Sequence, residues 1–138
     1  MQQIVVGFIE TETAQQAARE AAALAIRLGA PLHLVTALDD PGVEIFNAFG
    51  EEFVIGDVER GERGIHNFMV GLDERPEYTL AVLDAKPADA LIAEAERLEA
   101  SLIVVGNVRM QGPGRILGSV GSKVLHHAPC NVLIVKTV

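Results

Sequence analysis

The chain has 138 residues, 49% of them apolar and 22% charged, with 19 acidic side chains against 11 Lys and Arg and a net charge of −8. This balance speaks against a disordered chain and against non-specific binding to nucleic acid. No apolar run approaches the roughly 20 residues that span a bilayer, so no membrane association is expected.

A single domain over residues 1–138, built around one core, is the expectation from length. The start, Met1-Gln-Gln-Ile-Val-Val, lacks the basic opening of a signal peptide. The lone Cys130 permits no internal disulfide and fits a reducing compartment, so a cytoplasmic protein is expected. Charge is unevenly spread. All 19 acidic residues precede Ala100, and beyond it stand only Arg109, Arg115, Lys123 and Lys136, with His126 and His127 beside them. An acid-free C-terminal third is either a region hospitable to an anion or a strand-rich stretch with few surface positions.

Ile4 to Ile9 is an apolar run without alternation, the pattern of a strand covered on both faces. Thr13 with Gln16 reads as a capping box opening a helix. Ala17, Ala18, Ala21, Ala22, Leu24, Ala25 and Leu28 recur at helical spacing, Gly29 supplies the C-cap, and Pro31 prevents continuation. Leu32 to Leu38 is a second strand, and strand–helix–strand crossovers are right-handed and parallel in nearly all cases.

Between Asp39 and Glu77 the pattern weakens. Phe46, Phe49, Phe53, Ile65, Phe68, Met69 and Leu72 point to a core-facing helix between Gly50 and Glu74, after a loop at Pro41-Gly42. Gly56, Gly61, Gly64 and Gly71 oppose it, each at up to about 1 kcal/mol relative to Ala. Four of the five Phe residues lie in this region and read as core or loop anchors.

Tyr78 to Leu83 resumes as a strand. Pro87 suits the first turn of a helix, Asp89 and Glu94 favour its N-terminal half through the dipole, and Ala90, Leu91, Ala95 and Leu98 form its apolar stripe. Leu102–Val105 and Val132–Val138 are the last strands. The order βαβ–αβ–αβ–αβ implies an α/β fold with an open parallel sheet and helices on both faces. Ligands of such sheets sit at the carboxyl ends of the strands, where winding reverses. Gly7, Leu38 and Gly106 fall at or near such ends.

Several chemistries lack their residues. Gly112-Pro-Gly114 with Gly118 stands too far from a strand for a dinucleotide fingerprint, and no acidic residue follows to hold a ribose. No Walker A ending and no Gly-x-Ser-x-Gly elbow occurs. His33, His66, His126 and His127 are not spaced with acids or cysteine as a metal site requires, and Cys130 reads as a structural thiol.

What remains is strand, glycine loop, helix start and strand from Leu102 to Val135, a device that can aim backbone N–H groups and a helix dipole at a phosphate. Three segments carry a family resemblance: Ile103 to Gly112 with Leu117-Gly-Ser-Val120, His127 to Val135, and the N-terminal Ile4-Val-Val-Gly7. With Pro87-Ala-Asp-Ala-Leu91 before Ala100-Ser-Leu-Ile-Val-Val-Gly106, the chain resembles the universal stress protein family over essentially its whole length, least between residues 40 and 77.

The resemblance implies a five-stranded sheet in the order 3-2-1-4-5, of the adenine nucleotide alpha-hydrolase-like kind, and a homodimer joined through the last strand, Val132–Val138. An apolar strand at the edge supplies a physical motive for that pairing. It also implies a stress-response role with ATP or AMP held by a Gly-x-x-Gly, spacer, Gly-Ser pattern. Gly106 stands for the first glycine and Gly118-Ser119 for the last pair; Arg109 replaces the intervening glycine, and the spacer is one residue short. Arg109 brings a Cβ where backbone must approach phosphate, yet also a guanidinium able to pair with it. Nucleotide-binding relatives carry an aspartate at the position of Ile9. The implied nucleotide contacts are Gly7, Phe8, Ala37, Val105, Gly106, Arg109, Gly118, Ser119 and Val120, with no metal ligand and no catalytic residue. The alternative is a dimeric stress or interaction module that has lost nucleotide binding; a slow ATP hydrolase is a third reading, without an assignable general base.

Overall fold

The computed structural model describes residues 2–9, 11–38, 43–48, 51–106 and 119–137. Its main sheet joins β1 (Ile4–Gly7), β2 (Leu32–Leu38), β5 (Tyr78–Asp84), β6 (Leu102–Gly106) and β7 (Asn131–Val135), all parallel, in the spatial order β5-β2-β1-β6-β7. Counted along the chain within this sheet, that is the expected 3-2-1-4-5. The helices are α1 (Glu12–Leu28), α2 (Asp57–Val70), α3 (Pro87–Leu98) and α4 (Ser119–His127).

Strand periodicity splits the core in two. Ile4 and Val6 of β1, with Leu32 and Leu34 of β2, pack against the alanines of α1 and against Ile65 and Met69 of α2. Val5, Val35, Ile103 and Val105 turn the other way, onto Ala90, Leu91 and Ala95 of α3 and Val124 of α4. Helices therefore cover both faces. The alanine stripe of α1 (Ala17, Ala18, Ala21, Ala22, Ala25) is buried, and Gly29 closes the helix at φ 63° in the left-handed region glycine favours.

Four expectations need correction. The cap of α1 is Thr11, not Thr13: the Ala14 N–H donates to Thr11 Oγ1 at 3.3 Å, and Thr13 lies inside the first turn. The helix expected between Gly50 and Glu74 is α2, the loop expected at Pro41-Gly42 lies outside the described residues, and residues 43–48 and 51–56 are strands that the expectation lacked. They form an antiparallel hairpin, β3 (Val43–Ala48) and β4 (Glu51–Gly56), in which Phe46 pairs with Phe53. Val43, Ile45, Phe46, Phe53, Val54 and Ile55 are β-branched or aromatic, which favours strands. The helix begins only at Asp57. Gly61 is tolerated inside it because α2 lies close to the sheet: a Cβ there would meet the Val82 methyls at 3.1 and 3.2 Å. Third, Glu94 is buried in the middle of α3, paired with other side chains, whereas Asp89 does sit in the first turn. Fourth, the last strand ends at Val135, so Lys136 and Thr137 lie beyond it.

Candidate functional site

Winding reverses at β1, because β2 lies on one side of it and β6 on the other. The carboxyl ends of these three strands diverge, which leaves a crevice for a ligand. A cavity of about 420 Å³ occupies that place. Gly7, Phe8 and Ile9 enter it from the end of β1, Val35 and Ala37 from β2, and Val104 to Gly106 from β6. The helices contribute their N-terminal turns: Thr11, Thr13, Ala14 and Ala17 at α1, Pro87 and Leu91 at α3, Val120 and Gly121 at α4. Three helix N-termini thus converge on one apolar space, and each presents partial positive charge.

Of the residues singled out in the sequence, Gly7, Phe8, Ala37, Val105, Gly106 and Val120 meet in this lining. Ser119 opens α4 beside Val120 and is exposed, outside the lining. Arg109 and Gly118 lie outside the described residues. Sequence reading missed the contributions of α1 and α3. The signal was present in Thr11 directly after β1 and in Pro87 at a helix start, since helices that follow parallel strands begin at the carboxyl edge.

Two of the three glycines in the lining, Gly7 and Gly106, are not required by protein packing. A Cβ on Gly7 would rest 3.6 Å from Leu91, and one on Gly106 would lie 3.5 Å from Thr137 and 3.6 Å from Ala17, ordinary contact distances. Both have backbone conformations open to other residues. Thr11 and Thr13 are the only hydroxyl-bearing side chains of the described lining, which holds no carboxylate. Ile9, at the rim, is 52% exposed.

Charges stand around the cavity. Lys123 of α4 meets Asp89 of α3 at 2.6 Å, tying together two helices that border the space. The Lys123 hydrogen bond is the main reason that the Asp89 carboxyl titrates below its ordinary range. Deeper along the β2–α3 seam, His33 Nε2 lies 2.9 Å from Glu94 Oε1 and His33 Nδ1 lies 2.6 Å from Thr79 Oγ1. Arg97 donates to Glu94 through Nε at 2.7 Å and Nη2 at 3.0 Å. These bonds, Arg97's foremost and His33's after it, outweigh burial and bring the Glu94 pKa down to about 2.

A second cavity, of about 440 Å³, lies under α2 and shares Phe8 and Ile9 with the first. Its wall carries Asp57, Arg60, Arg63 and Asn67 from one helix. Among the described residues no three His, Cys, Asp or Glu side chains are grouped to hold a metal. Cys130 is half-buried, and burial pushes its thiol up, away from the reactive thiolate.

The sequence pattern of the Universal stress protein family matches residues 1–136. The chain belongs to the universal stress protein family. A universal stress protein of Thermus aquaticus is 31% identical over 134 residues, covering 96% of this chain and 97% of its own. One from Methanothermobacter thermautotrophicus is 32% identical over 85 residues, 62% of this chain, which spans about half (54%) of that relative's length. A crystal structure of a universal stress protein in complex with cAMP superposes with a TM-score of 0.71 at 26% identity, over 99% of this chain and 98% of the other. An Archaeoglobus fulgidus universal stress protein in complex with dAMP, at 21% identity, shares the fold at a TM-score of 0.66 over 97% of both chains. The universal stress protein sheet and its adenine nucleotide alpha-hydrolase-like architecture are therefore those the sequence resemblance implied.

Proposed function

We propose that this universal stress protein is a stress-response module that binds an adenine nucleotide, ATP or AMP, in the cavity at the end of β1. The observation that carries the reading is the convergence of Gly7, Phe8, Ala37, Val105, Gly106 and Val120, from separate parts of the chain, on one 420 Å³ space at the switch point. That volume falls among those of small-molecule sites. The cAMP complex of the relative at 26% identity supports an adenine nucleotide as the occupant. In this reading the base lies against Ala37 and Leu91. The phosphate lies toward Gly106 and the backbone N–H groups of Ser119 and Val120, with Arg109 and Gly118 completing the loop. The two glycines that packing does not require then leave room for close ligand approach.

Calorimetric titration with AMP and ATP tests this. Wild-type protein is expected to give saturable heat, and Gly106→Ala to bind about tenfold more weakly while melting as the wild type does. Absence of heat at millimolar nucleotide favours the second reading, an interaction module without nucleotide binding. The apolar, half-exposed Ile9 on the cavity rim favours that one.

The same proposal includes a homodimer through β7. This strand is an edge of the sheet, and Leu133 on it is 40% exposed. Sedimentation is expected to show a dimer for the wild type and a monomer for Leu133→Glu; an unchanged dimer would remove β7 from the interface. A cytoplasmic setting completes the proposal, in keeping with a single cysteine.

A further inference from the structure

The cavity under α2 has no part in the nucleotide reading, and its lining divides into an apolar floor and a polar wall. The floor is Phe8 and Ile9, just past the end of β1, and Leu38, the last residue of β2. Thr36 adds no free donor to it, because its hydroxyl is spent on the Phe8 carbonyl at 2.8 Å. The wall is one stripe of α2: Asp57, Arg60, Gly64 and Asn67 follow one another at steps of three and four residues, with Arg63 beside them. Gly61 lets this stripe lie low over the sheet, since a Cβ there would meet the Val82 methyls at 3.1 and 3.2 Å. The space enclosed, about 440 Å³, is that of a small-molecule site.

Two guanidinium groups and one carboxylate give the described lining a net charge of +1, in a chain of −8. Arg19, Arg97 and Lys123 are held in ion pairs with Glu12, Glu94 and Asp89. Among the described residues, by contrast, Arg63 has no acidic partner and the Asn67 amide no side-chain hydrogen bond. The two stand four residues apart, so their side chains are neighbours on the helix surface, where a planar guanidinium and an amide NH2 can both donate to one carboxylate. A single negative charge balances this lining, whereas a second would meet the Asp57 carboxylate in the same wall. Ile9 is 52% exposed, and an apolar tail laid over it takes both surfaces out of water.

We propose that the cavity under α2 is a separate binding site for an amphipathic monocarboxylate, its head held by Arg63 and Asn67 within the field of Arg60 and its apolar tail covering Phe8, Ile9 and Leu38. This site is independent of nucleotide binding in the first cavity. The two abut at Phe8 and Ile9 but draw on different helices, α2 for one and α1, α3 and α4 for the other.

The probe is octanoate, titrated into the full chain and followed by amide chemical shifts. Octylamine, acetate and octyl phosphate vary the sign of the charge, the tail and the number of charges one at a time. Octanoate is expected to give saturable shifts at Arg60, Arg63, Gly64 and Asn67, with Gly106 and Val120 unmoved. Octylamine and acetate are expected to give none at the same concentration, and octyl phosphate to bind more weakly. Arg63→Gln changes an exposed side chain and is expected to weaken octanoate about tenfold with an unchanged thermal midpoint. No saturable octanoate shifts at these residues, equal binding of octylamine, tighter binding of octyl phosphate, or undiminished affinity in Arg63→Gln would each overturn the inference.

Discussion

The two faces of the sheet are packed by different rules. On the α1–α2 face the described core is apolar apart from Thr36, whose hydroxyl donates to the Phe8 carbonyl at 2.8 Å. Phe8 itself meets Phe68 of α2 with ring centroids 5.0 Å apart. On the α3–α4 face the apolar layer is interrupted by the buried His33–Glu94 pair, 2% and 5% exposed, and ends at the cavity. Each face opens into a cavity, the one under α2 on the first face included. The difference lies in the buried layer, which is apolar on one side and carries a charge pair on the other.

The largest way to break this contrast is to truncate each face once. Glu94→Ala leaves the buried His33 Nε2 without its acceptor and is expected to cost about 1–3 kcal/mol in urea denaturation. Met69→Ala, on the other face, removes a fully buried side chain and is expected to cost about 2–5 kcal/mol through a cavity. The faces separate in the repair. Replacing His33 and Glu94 together by Leu should recover most of the Glu94→Ala loss, because a buried ion pair is worth little more than well-packed apolar groups. Failure to recover would mean that the pair contributes more than its packing.

Acid sharpens the comparison. The folded pKa of Glu94, about 2, lies below its ordinary value of 4.5. Its contribution is thus fully present above that ordinary value and is lost as pH falls toward 2. Thermal midpoints measured over this range should decline in the wild type and in Met69→Ala, and less steeply in Glu94→Gln. A parallel decline in all three would show that other carboxylates dominate acid unfolding.

The smallest effect concerns the edge of the cavity. Thr11→Ala removes the α1 cap and is expected to cost about 1 kcal/mol, while Thr13→Ala should cost less because it caps nothing. The reverse order would return the cap to Thr13.

The parallel sheet was legible because its strands are short apolar runs bounded by Gly or Pro and separated by helical stripes, as in Ile4–Gly7 and Leu32–Leu38. The hairpin over residues 43–56 was not, since its apolar residues also fit a helical stripe and Gly56 reads equally as a helix breaker. In the cavity lining, Gly7 and Gly106 are visible in the sequence as glycines at strand ends. The α1 and α3 walls show in the sequence only through Thr11 and Pro87 at the helix starts, because their apolar residues, such as Ala14 and Leu91, look like any core-facing positions. The His33–Glu94 pair joins residues 61 apart in sequence, and nothing local marks either as buried. Only the topology brings β2 under α3.

Amide chemical-shift mapping with AMP distinguishes the two cavities that meet at Phe8 and Ile9. A nucleotide in the first cavity gives saturable shifts at Gly7, Ala37, Gly106 and Val120, with Arg60, Arg63 and Asn67 unmoved. Shifts confined to those three α2 residues, or none at millimolar AMP, would contradict binding there.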